Sequence, residues 1–216
     1  MTPDQPDRRI DRLIRRFPEP LQPDLRESAD RLLAVRSLKD GVEALHQEVE
    51  HVLRVSTPVF VRYPTIRRPR RAKALVASAA AIAAAVEEGD ELLTLFSVGT
   101  LAAPGFGTVL AVNLLATATE AWAATSVRVH QLHDHGRPVH TEQTAADVRE
   151  AMFGPVDTSS GVTPVIRKVA AGGARRLGRR WAVGLIPVFG IAYGGFDAAR
   201  TVDRVLRLPL PPVEDG

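Results

Sequence analysis

The stretch HQLHDHGRPVH holds four of the chain's six histidines, His130, His133, His135 and His140. His130 and His133 are three apart, so on a helix they share a face. With Asp134 and His140 close by in sequence, such imidazole and carboxylate donors could ligate a divalent transition metal. The spacing matches no recognised zinc or facial-triad arrangement. A polar helix end explains the same residues, with histidines facing the C-terminal dipole and Gly136 as the cap. The expectation is no bound metal and no cofactor, with these four histidines as the residues to inspect.

A second candidate for chemistry is a carboxylate pair. Glu120 and Asp203 occupy matching places after two similar apolar segments, and two carboxylates brought together could do acid–base work. Surface charges at helix ends are the simpler reading. The chain has no cysteine, which excludes disulfides, thiolate metal sites and thiol catalysis. It carries no phosphate loop, nucleophile elbow or dinucleotide fingerprint. The expectation is a protein that is not an enzyme.

The cations are clustered although the net charge is only +3. Arg62, Arg67, Arg68, Arg70, Arg71 and Lys73 form one acid-free group. Arg167, Lys168, Arg175, Arg176, Arg179 and Arg180 form another. Each group precedes an apolar block. Few aromatics interleave with them, so specific nucleic-acid binding is not expected. Cations beside apolar helices suit anionic lipid headgroups, at about 1 kcal/mol for each well-placed one.

The elements that must carry these groups read as helical. Alanine is abundant, aromatics make up only 5% of the chain, and period-2 clusters of β-branched residues are rare. A short helix is expected from about Asp7 to Phe17. Residues 24–54 read as one long amphipathic helix or two in line, opened by Pro23 or Asp24 and bent or broken at Gly41. They form the apolar stripe of an N-terminal arm, or a surface for a helical protein partner. Pro58, Pro64 and Pro69 mark residues 56–71 as a non-helical linker. A small-residue helix follows over Ala74–Val86, with Gly89 as its cap. Residues 92–119 are then uncharged, with a break expected near Pro104. A helix closes at Gly136, and another spans Thr141–Phe153 with a capped start.

The apolar blocks repeat a pattern. Pro104, Phe106 and Gly107 of PGFG align with Pro187, Phe189 and Gly190 of PVFG, 83 positions on, and Ala111 aligns with Gly194. Small residues recur every fourth place, at Ala103, Gly107 and Ala111 and again at Gly190, Gly194 and Ala198. That spacing lays a smooth stripe along a helix where another helix can approach closely. The expected fold is all-α, a helical bundle around two apolar Pro-x-Phe-Gly units. The expected divisions are an N-terminal helical arm (1–57), a basic Pro-rich linker (58–73), a helical core (74–208) and a tail (209–216).

The run LGRRWAVGLIPVFGIAYGGFDAARTVDRVLR resembles the C-terminal signature of EcsC-family proteins. There a Lys/Arg-rich helix enters an apolar Pro-x-x-Gly segment rich in Gly and Ala. The upstream apolar helix, the His135–Gly136 turn and the short charged helix ending at Gly154 are similar too. The resemblance covers about residues 70–208 and includes no catalytic motif. It implies a bacterial, mostly helical protein without established enzyme chemistry, in a family whose namesake is linked to a transporter system at the membrane.

Membrane topology is the open question at this level. The 28-residue uncharged run exceeds the roughly 20 residues a span needs. It is rich in Ala, Thr and Gly, however, and mean hydropathy is −0.03. No apolar leader follows the charged N-terminus, which points to a cytoplasmic protein, at the inner face of the cell membrane if membrane-bound. The function expected is a non-enzymatic, membrane-associated regulator or adaptor. Its partner is an anionic membrane surface or a membrane protein complex. The alternatives are a soluble helical interaction module acting through residues 24–54, and a metal-dependent enzyme using the histidines.

Overall fold

A computed structural model describes residues 5–35, 38–94, 106–154 and 199–212, and no strand occurs among them. The elements are α1 (Gln5–Ile14), a 3-10 turn (Glu19–Leu21), α2 (Gln22–Leu33), α3 (Leu38–Arg62), α4 (Pro69–Thr94), α5 (Phe106–Asp134) and α6 (Thr141–Phe153). A further helical segment, here α7, covers residues 199–207. The all-α bundle expected from composition is present.

Helix α5 is the axis of the bundle. Its 29 residues reach roughly 43 Å at 1.5 Å per residue, and α1, α2, α3, α4 and α6 all pack on it. From Leu110 to Val129 almost every residue is buried. A helix that is apolar all round belongs inside a protein or inside a bilayer, and here protein covers it. Each fully buried Leu or Val, such as Leu114 or Val127, contributes roughly 1.5–3 kcal/mol before entropy is counted. The uncharged run is therefore, from Phe106 onward, the centre of a bundle. No helix among the described residues is long and apolar enough to cross a membrane.

Gly107 shows what the small-residue stripe does. A Cβ there would lie 2.7 Å from the Leu33 carbonyl oxygen and 2.8 Å from both the Leu32 oxygen and the Leu33 Cα. The first turn of α5 thus runs backbone against backbone into the end of α2. Ala111, one turn on, is fully buried. The close approach expected of this stripe is real, and its partner is α2. Pro104, Pro187, Phe189, Gly190 and Gly194 lie outside the described residues, as do Arg175, Arg176, Arg179 and Arg180.

Several boundaries differ from the sequence reading, each for a physical reason. α3 continues through Pro58 to Arg62, so most of the expected linker at 58–73 is helical and only residues 63–68 lie outside a helix. Pro58 and Arg54 are both exposed, so the proline stands on the outer face of α3. Val52, Leu53 and Phe60 are meanwhile buried in the core, and this burial outweighs the roughly 3 kcal/mol a mid-helix proline costs. The break between α2 and α3 falls after Leu33, whereas Gly41 sits buried inside the first turns of α3. α4 starts at Pro69, a favoured first position, and passes Gly89 to end at Thr94. α6 spans the expected residues, but His140 is its N-cap and makes no side-chain capping bond. Gly136, with φ 62°, closes α5 as expected, and the Arg137 N–H donates to the Leu132 carbonyl at 2.9 Å.

The N-terminal helices are part of the core. Ile10, Leu25, Ala29, Leu32, Leu45 and Val52 share one hydrophobic cluster with Leu114 and Ala118 of α5. Phe17 and Phe60 pack on the Trp122 ring at centroid distances of 5.7 and 6.0 Å. The apolar stripe of residues 24–54 is spent internally.

Candidate functional site: the basic end of the bundle

The histidines do not converge. The His130 Nε2 lies 2.7 Å from the Pro64 carbonyl oxygen. His135 turns its Nδ1 to the Gln131 carbonyl at 2.8 Å. His133 and His140 are exposed. Among the described residues no group of three or more His, Asp or Glu side chains could hold a metal ion.

The two carboxylates are separately engaged. Glu120 is not a surface charge at a helix end: it is buried halfway along α5, and its Oε1 accepts a hydrogen bond from the buried Thr201 hydroxyl. Asp203, two residues on and turned toward α4, pairs with the Lys73 Nζ at 2.5 Å. They fasten α7 to two different helices and do not face one another.

A polar centre that the sequence reading missed sits deeper. Arg128 is only 1% exposed. Its Nε and Nη2 each reach Asp147 Oδ2 of α6 at 2.7 Å. The rest of the guanidinium donates to Gln131 at 2.8 Å, to the Leu208 carbonyl at 3.3 Å and to the Pro209 carbonyl at 2.7 Å. Gln143 holds the other Asp147 oxygen at 2.8 Å. Every direction of the fork is used for joining α5, α6 and the chain after α7. The sequence signal was available: Arg128 is the one Lys, Arg, Asp or Glu between Glu120 and Asp134, flanked by two valines.

Among the described residues, one end of the bundle presents an exposed basic surface. The connection 63–68 crosses the C-terminal end of α5, fixed by the His130–Pro64 contact and by Arg67, which reaches Asp134 at 3.4 Å. Both partners of that ion pair are largely exposed, so it adds little stability. Tyr63 is 41% exposed, with the Arg62 guanidinium 5.8 Å from its ring centre. Arg68, Arg70 and Arg71 follow, all exposed, and no ion pair engages them among the described residues. The first turn of α4 contains no acid. Cations near a helix N-terminus oppose the dipole, at about 0.3–1 kcal/mol each. Local stability therefore disfavours these arginines where they stand.

A second basic surface lies on α1 and the turn after it, where Arg8, Arg9, Arg12, Arg15 and Arg16 are all exposed. In the sequence Asp11 interrupts this run of cations. That carboxylate is taken by Arg26 of α2. No family model, no curated protein and no solved structure matches this chain.

Proposed function

We propose that this protein is a non-enzymatic, EcsC-like regulator or adaptor that works at an anionic membrane surface on the cytoplasmic side. One observation carries the reading: Arg68, Arg70 and Arg71 stand exposed and unpaired, among the described residues, in the stretch that begins with the exposed Tyr63. An aromatic ring with a polar tip and a set of cations is the side-chain chemistry of a headgroup interface. Binding of this kind needs no spanning helix, in keeping with the buried α5. The EcsC likeness has only the quoted residues behind it. The alternative of a partner helix on residues 24–54 loses its apolar stripe to the core, and the metal-enzyme alternative loses the convergence of its histidines.

Fractionation of cells making the native protein tests the proposal. The expected result is a membrane-fraction protein released by high salt or carbonate. Protein that stays in the soluble fraction at low salt would overturn it.

A further inference from the structure

We infer that the segment LPLPP after α7, residues 208–212, is a pre-ordered ligand for a protein domain that reads proline ridges through an aromatic-lined groove. The inference goes beyond the surface reading above and stands without it. Pro209, Pro211 and Pro212 fix their own φ near −65° and keep the residues before them out of helical backbone. Residues 209–212 accordingly lie outside any helix, strand or turn. The backbone these restraints favour is polyproline II. A single proline is enough to stop α7, and Pro211 and Pro212 come after the stop.

The body of the protein holds this segment in place. Arg128 donates to the Leu208 and Pro209 carbonyls at 3.3 and 2.7 Å. Gln131 Nε2 donates to the Leu206 carbonyl at 2.9 Å, and Leu208 packs on the main hydrophobic cluster. Three residues per turn place Pro209 and Pro212 on one edge, roughly 9 Å apart. Both are exposed, while Leu208, Leu210 and Pro211 are partly buried. Two proline rings at i and i+3 therefore form an outward ridge, the Pro-x-x-Pro pattern that aromatic grooves recognise. Anchoring through Arg128 lowers the ordering cost of binding. Arg207 is exposed, and no ion pair engages it among the described residues. It asks for an acid at the rim of the groove.

The test titrates the full-length chain against an array of purified SH3 and WW domains, two classes that read such ridges. The expected result is saturable binding by at least one domain. That binding falls several-fold in Pro209→Ala, in Pro212→Ala and in Arg207→Gln, and is unchanged in Pro20→Ala, an exposed proline elsewhere. Alanine keeps the carbonyl that Arg128 holds, so the proline variants are expected to melt like the native chain. A free peptide of residues 206–212 is expected to bind the same domain more weakly than the full chain. Binding by no domain in the array would overturn the inference. So would binding that survives in the Pro209→Ala/Pro212→Ala double variant. Binding of the free peptide but not of the full chain would overturn it too, because the ridge would then be covered in the folded protein.

Discussion

At the residue scale, Arg128 and Asp147 show how a buried charge is tolerated here. Neither is left with an unpaired face, because Gln131, Gln143 and two backbone carbonyls complete the set. Removing one partner leaves the other charge buried and uncompensated, which costs about 3–5 kcal/mol. Asp147→Ala is expected to lose stability in that range by chemical denaturation. Arg128→Met combined with Asp147→Leu should lose less than Asp147→Ala alone. A double variant as damaged as the single one would mean that the carbonyl contacts to Leu208 and Pro209, and not the ion pair, carry the site.

Glu48 gives a pH-dependent counterpart. Its burial pushes the carboxyl pKa upward, but hydrogen bonds from Arg31 and Ser28, together with the Arg31 charge, outweigh that and hold it below its usual value of 4.5. Arg31 Nε reaches Glu48 Oε1 at 2.5 Å, tying α2 to α3. The same hydrogen bond raises the Arg31 pKa, so Arg31 stays charged throughout. A carboxylate with a depressed folded-state pKa stabilises the fold above its unfolded pKa, and that contribution is lost as pH falls through the folded value. Thermal melts are therefore expected to lose stability as pH drops below about 4.5, with a shallower loss in Glu48→Gln. Identical pH profiles for the two proteins would contradict this role.

At the element scale, the close contact of α5 with α2 rests on one absent side chain. Gly107→Ala puts a methyl against the backbone of Leu32 and Leu33, where no rotamer change can relieve it. The expected cost is about 1–3 kcal/mol, and Gly107→Leu is expected to cost more. A melting temperature equal to the native one in Gly107→Ala would show that α2 can move away freely. This scale also shows what the sequence made legible. The smooth stripe at Gly107 and Ala111, the cap at Gly136 and the span of α6 followed from residue type and spacing. Pro58 misled because local propensity cannot register the burial of Phe60 and Val52 around it. Gly89 misled in the same manner, as a glycine marks a helix end only when the chain beyond it has reason to leave. Arg128 lay in plain view between two valines, but its partner is on another helix, and no spacing rule reaches across helices.

At the scale of the whole molecule, the apolar run that looked long enough for a bilayer is, from Phe106 onward, part of the buried axis of a bundle. Two sets of charged groups have opposite characters. Glu120, Arg128, Asp147 and Glu48 are buried and bonded, and they hold helices together. Arg68, Arg70 and Arg71 are exposed, unpaired among the described residues, and placed against a helix dipole that disfavours them. Proteins keep locally unfavourable arrangements where function needs them. These arginines are expected to bind an anionic surface and to contribute nothing to the stability of the fold. The most direct test measures phosphatidylglycerol-vesicle binding and thermal stability together, in the native chain and in Arg68→Gln/Arg70→Gln/Arg71→Gln. At about 1 kcal/mol per cation, binding should weaken on the order of a hundredfold, while the melting temperature stays equal or rises as the dipole conflict is relieved. Unchanged binding, or binding lost only together with a lowered melting temperature, would contradict the account.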